Sequence, residues 1–220
     1  MRNLGIIIIT SFLLSGCVTT KIMKASYSSQ VDPDYLFSTN KAIAVLVAEN
    51  ENTLETKYYV NQVVEGLKER GFQNVYSYKN VNEATVPIDI TVIINVSKKI
   101  DSYQYQGANL GLVDSGRTTT NCTGWGYSVN CTQNNQKTIG ITGYSTKTGY
   151  LTGYYFAANW FSLPSEKKIM FTFAASFEDK CSDRAVYEFL IDETIKRVDF
   201  QKPNKYDYSV QMPENYSCVY

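Results

Sequence analysis

The sequence predicts an α+β fold, a mostly antiparallel sheet with two main helices packed on one face. Three observations predict it. Lys41 to Ala48 is a continuous apolar run rich in β-branched residues, the mark of a buried strand. Two stretches, 52–71 and 182–198, carry apolar residues at helical spacing. Most of what lies between them is strand-like, with Ile, Val, Tyr and Phe bounded by Gly, Asn and Ser. Two helices cannot cover both faces of a sheet that wide, so they are expected on one face.

The chain opens on a segment that is not part of that domain. Met1 to Asn3 carries one positive charge, on Arg2, and Leu4 to Leu14 is an apolar run of about 11 residues. That run falls well short of the ~20 residues needed for a spanning helix. Leu14-Ser15-Gly16-Cys17 follows, with two small residues before a thiol. It resembles the lipobox of bacterial lipoproteins, in which the thiol takes a diacylglycerol and cleavage before Cys17 frees an amine for a further acyl chain. A thiol is the side chain nucleophilic enough to form that thioether. The resemblance implies residues 1–16 as a signal peptide and Cys17 as the lipidation site. Residue 18 is Val and not Asp, which by analogy with enterobacterial sorting implies the outer membrane, facing the periplasm or exposed at the surface. Two or three acyl chains make a stable anchor, unlike one.

Without residues 1–16 the chain loses Arg2 and no acid, leaving a formal net charge of about −1. Nothing in that balance suits nucleic acid. His is absent, which removes the commonest general base and metal ligand.

Five cysteines leave an odd thiol, and assigning Cys17 to lipid leaves Cys122, Cys131, Cys181 and Cys218. Three pairings are open. The local one, Cys122 with Cys131 across a turn-rich segment and Cys181 with Cys218, is the expectation in an oxidising compartment. The chain-entropy model gives roughly 2.7 kcal/mol for the shorter loop and roughly 3.9 kcal/mol for the longer. Their spacing matches no zinc pattern, and no metal or cofactor is expected.

In order, residues 17–36 read as a polar, flexible tether ending in Asp32-Pro33-Asp34. Residues 37–200 read as a single domain. After the first strand, Asn52 and Glu55 suggest a capping box, and Leu54, Val60, Val63, Val64 and Leu67 form a helical stripe closed by Gly71. Gln73 to Tyr78 and Ile88 to Ile100 are expected strands. From 107 to 162 the texture turns to Gly, Thr, Asn and Tyr, read as one or two hairpins with a turn at Thr146 to Gly149. Lys168 to Phe177 alternates as another strand. Ser182 caps a helix with the stripe Tyr187, Leu190, Ile191, Thr194, Ile195 and Val198. Residues 201–220 are an expected tail. The expected order is β-α-β-β, hairpin or hairpins, β-α.

Several parts together, the lipobox, a Tyr- and Asp-rich lead-in (Tyr27, Asp32 to Tyr35), a first strand opening on Lys41, and Arg70-Gly71-Phe72 after the first helix, resemble small bacterial envelope lipoproteins of unknown function. The resemblance covers about residues 17–105 and implies fold and location, with no activity.

No arrangement of side chains reads as catalytic. Ser and Cys lack a His, nothing matches Ser-x-x-Lys, and the carboxylate pairs Glu49/Glu51, Glu178/Asp179 and Asp192/Glu193 are ordinary solvated neighbours. The aromatic residues offer two readings. Trp125, Tyr127, Tyr150, Tyr154 and Trp160 form a stacking face for a glycan such as peptidoglycan, or strand aromatics pack within the sheet and against the helices. The leading functional expectation is a non-enzymatic, lipid-anchored envelope protein, an accessory or assembly factor that contacts another envelope protein. The alternative is a glycan-binding module.

Overall fold

The computed structural model describes residues 22–50, 52–125, 128–177, 181–212 and 218, with backbone alone at 125, 128 and 129. The fold is α+β, on one mixed sheet of seven strands in the order β3-β2-β4-β5-β6-β1-β7. Two compact units divide the chain, one comprising residues up to Ser97 and from Tyr154 onward, the other Lys98–Gly153.

The first unit opens with β1 (Ile22–Val31), a paired strand in the stretch expected as a flexible tether. β1 pairs antiparallel with β6 (Lys167–Ser176) on one side and β7 (Lys205–Gln211) on the other. Its inward residues Met23, Ala25, Tyr27 and Ser29 are all buried, whereas Lys24 and Gln30 are exposed. That is a period-2 pattern with small and polar members on the inner side. β7 likewise lies in the stretch expected as a tail.

β2 (Ile43–Val47) pairs in parallel with β3 (Val75–Ser77) and with β4 (Ile90–Trp125). Between β2 and β3 the helical stretch is broken into α1 (Thr53–Thr56), a 3-10 turn and α2 (Val60–Glu69). Asn52 makes no side-chain cap, and Leu54 is exposed, so the expected stripe begins only at Val60. Gly71 does close α2: its φ is +94°, and Phe72 N–H donates to the Leu67 carbonyl. β5 (Ser128–Ser162) pairs antiparallel with β6 through Tyr154–Ser162.

α3 (Asp183–Arg197) starts where expected, with the Ser182 hydroxyl accepting from Ala185 N–H. Its stripe is buried from Tyr187 to Val198, but so are Val186, Phe189 and Glu193. The wider burial has a cause, since α3 contacts both α2 and β6. Gln62 Nε2 on α2 donates to Asp192 Oδ1 (2.7 Å) and to the Glu188 carbonyl (2.6 Å) of α3. A Cβ on Gly66 would sit 3.1 Å from Ile195 Cγ2, so a small residue there lets the helices close up.

Beyond α3 the chain places Phe200 among Phe37, Phe72 and Trp160, at centroid distances of 5.1, 5.1 and 5.6 Å. Arg70 reaches over Phe200 and donates to the Val198 carbonyl at 2.7 Å, satisfying the end of α3.

Candidate functional site: the hairpin of residues 98–153

The second unit is formed by the outer parts of β4 and β5, which run as continuous strands through the region expected to hold a turn at Thr146 to Gly149. It is one long antiparallel hairpin, beginning before the expected residue 107. Side-chain bonds link its arms along the length: Gln106 Nε2 to Thr146 Oγ1 (3.1 Å), Thr142 Oγ1 to the Asn109 carbonyl (3.2 Å), and Ser115 Oγ to the Gln136 carbonyl (2.6 Å). Farther out, Thr119 Oγ1 donates to the Asn134 carbonyl and Thr132 Oγ1 to the Asn121 carbonyl, both at 3.3 Å. The Cys122–Cys131 disulfide then joins the arms.

Which side chains share a face follows from the glycines. A Cβ on Gly111 would meet Thr142 at 2.7 Å, and one on Gly140 would meet Val113 at 2.5 Å. Residues 111, 113, 140 and 142 therefore share one face. Alternation puts Leu110, Leu112, Ile139 and Ile141 on the other. Nearer the base, a Cβ on Gly149 would meet the Tyr103 ring at 2.6 Å, and one on Gly107 would meet the Lys147 stem. Counting along β5 from Ile141, Lys147, Gly149 and Leu151 belong to the leucine and isoleucine face. They bring Tyr103 and Tyr105 with them, whose rings lie 6.0 Å apart.

On β4, then, odd-numbered residues hold that face up to Gly107 and even-numbered ones from Leu110. One extra residue is accommodated between them, a β-bulge. There Lys147 Nζ donates to the Ala108 carbonyl at 3.0 Å and Ser145 Oγ to Asn109 Oδ1 at 2.9 Å.

The outcome is a two-sided ribbon. One face carries Tyr103, Tyr105, Leu110, Leu112, Ile139, Ile141 and Leu151, each between 44% and 73% exposed. The other is mainly Ser102, Gln104, Gln106 and the threonines 138, 142, 146, 148 and 152, with Ile100, Val113, Tyr144 and Tyr150 among them. Beyond Leu112 and Ile139, residues 114–124 and 130–138 contain no large apolar side chain.

The expected site residues do not converge. Trp160 and Tyr154 are core residues, 0% and 3% exposed, and so cannot belong to a ligand face. Tyr150 is exposed on the hairpin. Tyr127 and the side chain of Trp125 lie outside the described residues, as does Cys17. Cys181 and Cys218 are bonded, with Met212 Sδ 3.8 Å and 3.9 Å from their sulfurs. The side-chain pattern missed in the sequence is the apolar ribbon face, whose signal is the run of alternate residues on each side of the bulge.

Of the expected carboxylate pairs, Asp192 and Glu193 have structural partners. Asp192 is held by Gln62, and Glu193 by Arg197 and Lys196. Tyr59, Tyr154 and Tyr187 cluster with centroids 5.4 Å apart, and Tyr154 Oη donates to Asp183 Oδ1 at 2.6 Å. Burial pushes the Tyr59 and Tyr187 hydroxyls far above the ordinary tyrosine range, so they stay protonated near neutrality. Among the described residues no three His, Cys, Asp or Glu side chains gather in a way that could hold a metal ion.

No protein-family model and no curated protein matches the chain. Among solved structures it is similar to PelC dodecamers from Paraburkholderia phytofirmans in two crystal forms, at 8% identity. The matches cover 78% of this chain and 94% and 95% of those, with TM-scores of 0.40 and 0.38. A PDZ domain protein from Parabacteroides distasonis is similar at 11% identity, over 86% of this chain and 39% of that one, with a TM-score of 0.35. Likeness of that degree transfers neither fold nor function.

Proposed function

We propose that the protein is a lipid-anchored component of the bacterial cell envelope, held in the outer membrane through Cys17. It acts by contact and not by catalysis, as an accessory or assembly factor. The observation that carries this reading is the hairpin, which exposes seven large apolar side chains on one face while residues of the first unit supply the core. Contiguous exposed apolar surface marks an interaction site. The lipobox-like Leu14 to Cys17 supports the anchor, and two disulfides suit an oxidising compartment. The glycan-binding alternative loses Tyr154 and Trp160 to the core.

The test is metabolic labelling with palmitate in a bacterial host, joined to cross-linking from residue 110. The parent chain should take up label and sediment with outer membrane. Cys17→Ala should do neither. A photoreactive residue at position 110 should cross-link to a macromolecule or lipid. A soluble, unlabelled parent would sink the anchor, and an uncross-linked hairpin would sink the contact role.

A further inference from the structure

We propose that the hairpin of residues 98–153 is one stave of a membrane-spanning β-barrel assembled from several copies of this chain, with the Leu110 and Ile141 face against acyl chains. The inference deepens the envelope reading above and rests on it.

The first support is alternation. A strand between lipid and a wet lumen must present apolar residues to one side and polar residues to the other, with period 2. On β4 the hairpin does this through Tyr103, Tyr105, Leu110 and Leu112, and the bulge between Gly107 and Leu110 restores that face where alternation alone would turn it over. On β5 Ile139, Ile141 and Leu151 hold the same face, with Tyr144 and Tyr150 on the other among the threonines. Water offers no reason to keep seven large apolar residues on one side of a thin ribbon.

The second is length. The apolar face runs over ten residues of β4, Tyr103 to Leu112, and thirteen of β5, Ile139 to Leu151. At ~3.3 Å per residue and a tilt of ~40–45°, those runs rise about 21–23 Å and about 28–30 Å. The apolar band of an outer-membrane barrel is ~25 Å tall. Charges mark both limits: Lys99 and Asp101, paired at 3.1 Å, lie below Tyr103, and Asp114 and Lys137 lie beyond Leu112 and Ile139. Two tyrosines stand at the lower border, the level at which barrels carry aromatic girdles.

The third is the backbone. Among the described residues no strand pairs with the outer edge of β4 beyond Ile94 or of β5 before Tyr154. Inside hydrocarbon both edges need partners, and only closure supplies them all. A single hairpin cannot close on itself, so neighbouring copies must flank it. Lys147 is the one charged side chain on the apolar face within these limits. Its stem covers Gly107 and its ammonium donates to the Ala108 carbonyl at the bulge, a bond that offsets part of the roughly 2–4 kcal/mol that a lysine costs deep on a lipid face. Residues 114–124 and 130–138, stapled by Cys122–Cys131, carry no large apolar side chain and suit the aqueous far side.

The experiment adds the purified full chain from detergent to vesicles of phosphatidylcholine with phosphatidylglycerol, loaded with self-quenched carboxyfluorescein. The parent should release dye and form an oligomer that survives sodium dodecyl sulfate without boiling. The double variant Leu112→Asp/Ile141→Asp should cut release about tenfold or more and lose the oligomer. Gln104→Glu/Thr148→Glu, on the opposite face, should still release dye. Peptide mapping of both disulfides and a thermal melt check that each variant is folded. Vesicle-bound parent without release, or release unaffected by the apolar-face variant, overturns the proposal. Equal loss in both pairs overturns it too. The mass of the N-terminal peptide is read separately: an unacylated Cys17 sinks the anchor reading and leaves dye release to be scored by itself.

Discussion

The ring of Tyr103 lies across Gly149, close enough that a Cβ on the glycine would fall 2.6 Å from it. Gly149→Val would force the ring aside or part the two strands, a strain of about 1–3 kcal/mol. The expected outcome is faster amide exchange in residues 98–153, with the melt of the first unit unchanged. Exchange matching the parent would mean the Tyr103 ring does not lie across position 149.

Leu190 is fully buried on α3, where that helix meets the rest of the core. Leu190→Asp leaves a carboxylate without a partner in apolar surroundings and should cost several kcal/mol. Thermal unfolding and limited proteolysis report it. A variant that melts with the parent would show the helix to be undocked.

The third prediction concerns alkaline pH. Burial pushes the Tyr208 hydroxyl up to about 12, against the opposing pull of the Arg197 guanidinium. The folded state thus holds the proton more tightly than the unfolded chain, whose tyrosine titrates near 10. Stability contributed this way is whole below pH ~10 and is lost as pH rises from there toward 12. Tyr208→Phe should flatten part of that fall, on the order of 2 kcal/mol, with Tyr59 and Tyr187 accounting for more. Urea midpoints at a series of pH values measure it.

Cys181 and Cys218 face each other as an isolated antiparallel bridge. Cys218→Ser should free the Cys181 thiol and lower stability by about 3.9 kcal/mol on the chain-entropy model. The Cys122–Cys131 peptide should stay linked on a non-reducing map, since that bond lies in the other unit.

What the sequence made legible, and what it hid, has physical reasons. β2 shows as an unbroken apolar run because it lies inside the sheet, and α3 shows through its 3.6 period and Ser182 cap. β1 was hidden because Ala25 and Ser29 fill inward positions where larger apolar residues would have revealed the alternation. Ser29 is useful there: its hydroxyl accepts from Asn204 N–H. The hairpin face was hidden by the bulge, since Tyr103 and Tyr105 are odd-numbered and Leu110 and Leu112 even-numbered. Trp160 and Tyr154 looked like a stacking surface because composition does not tell which side of a strand meets a helix.

β1 also has a mechanical consequence. From Cys17 to Ile22 are five residue steps, which span at most about 18 Å when fully extended. A chain anchored at Cys17 is therefore on a short leash, and any pull on that leash enters the domain along β1. The strand is laced on both sides, to β6 from Ala25 to Val31 and to β7 from Ile22 to Ser28. Tension along its axis loads those bonds together in shear, where they resist as a group, instead of peeling them open one at a time.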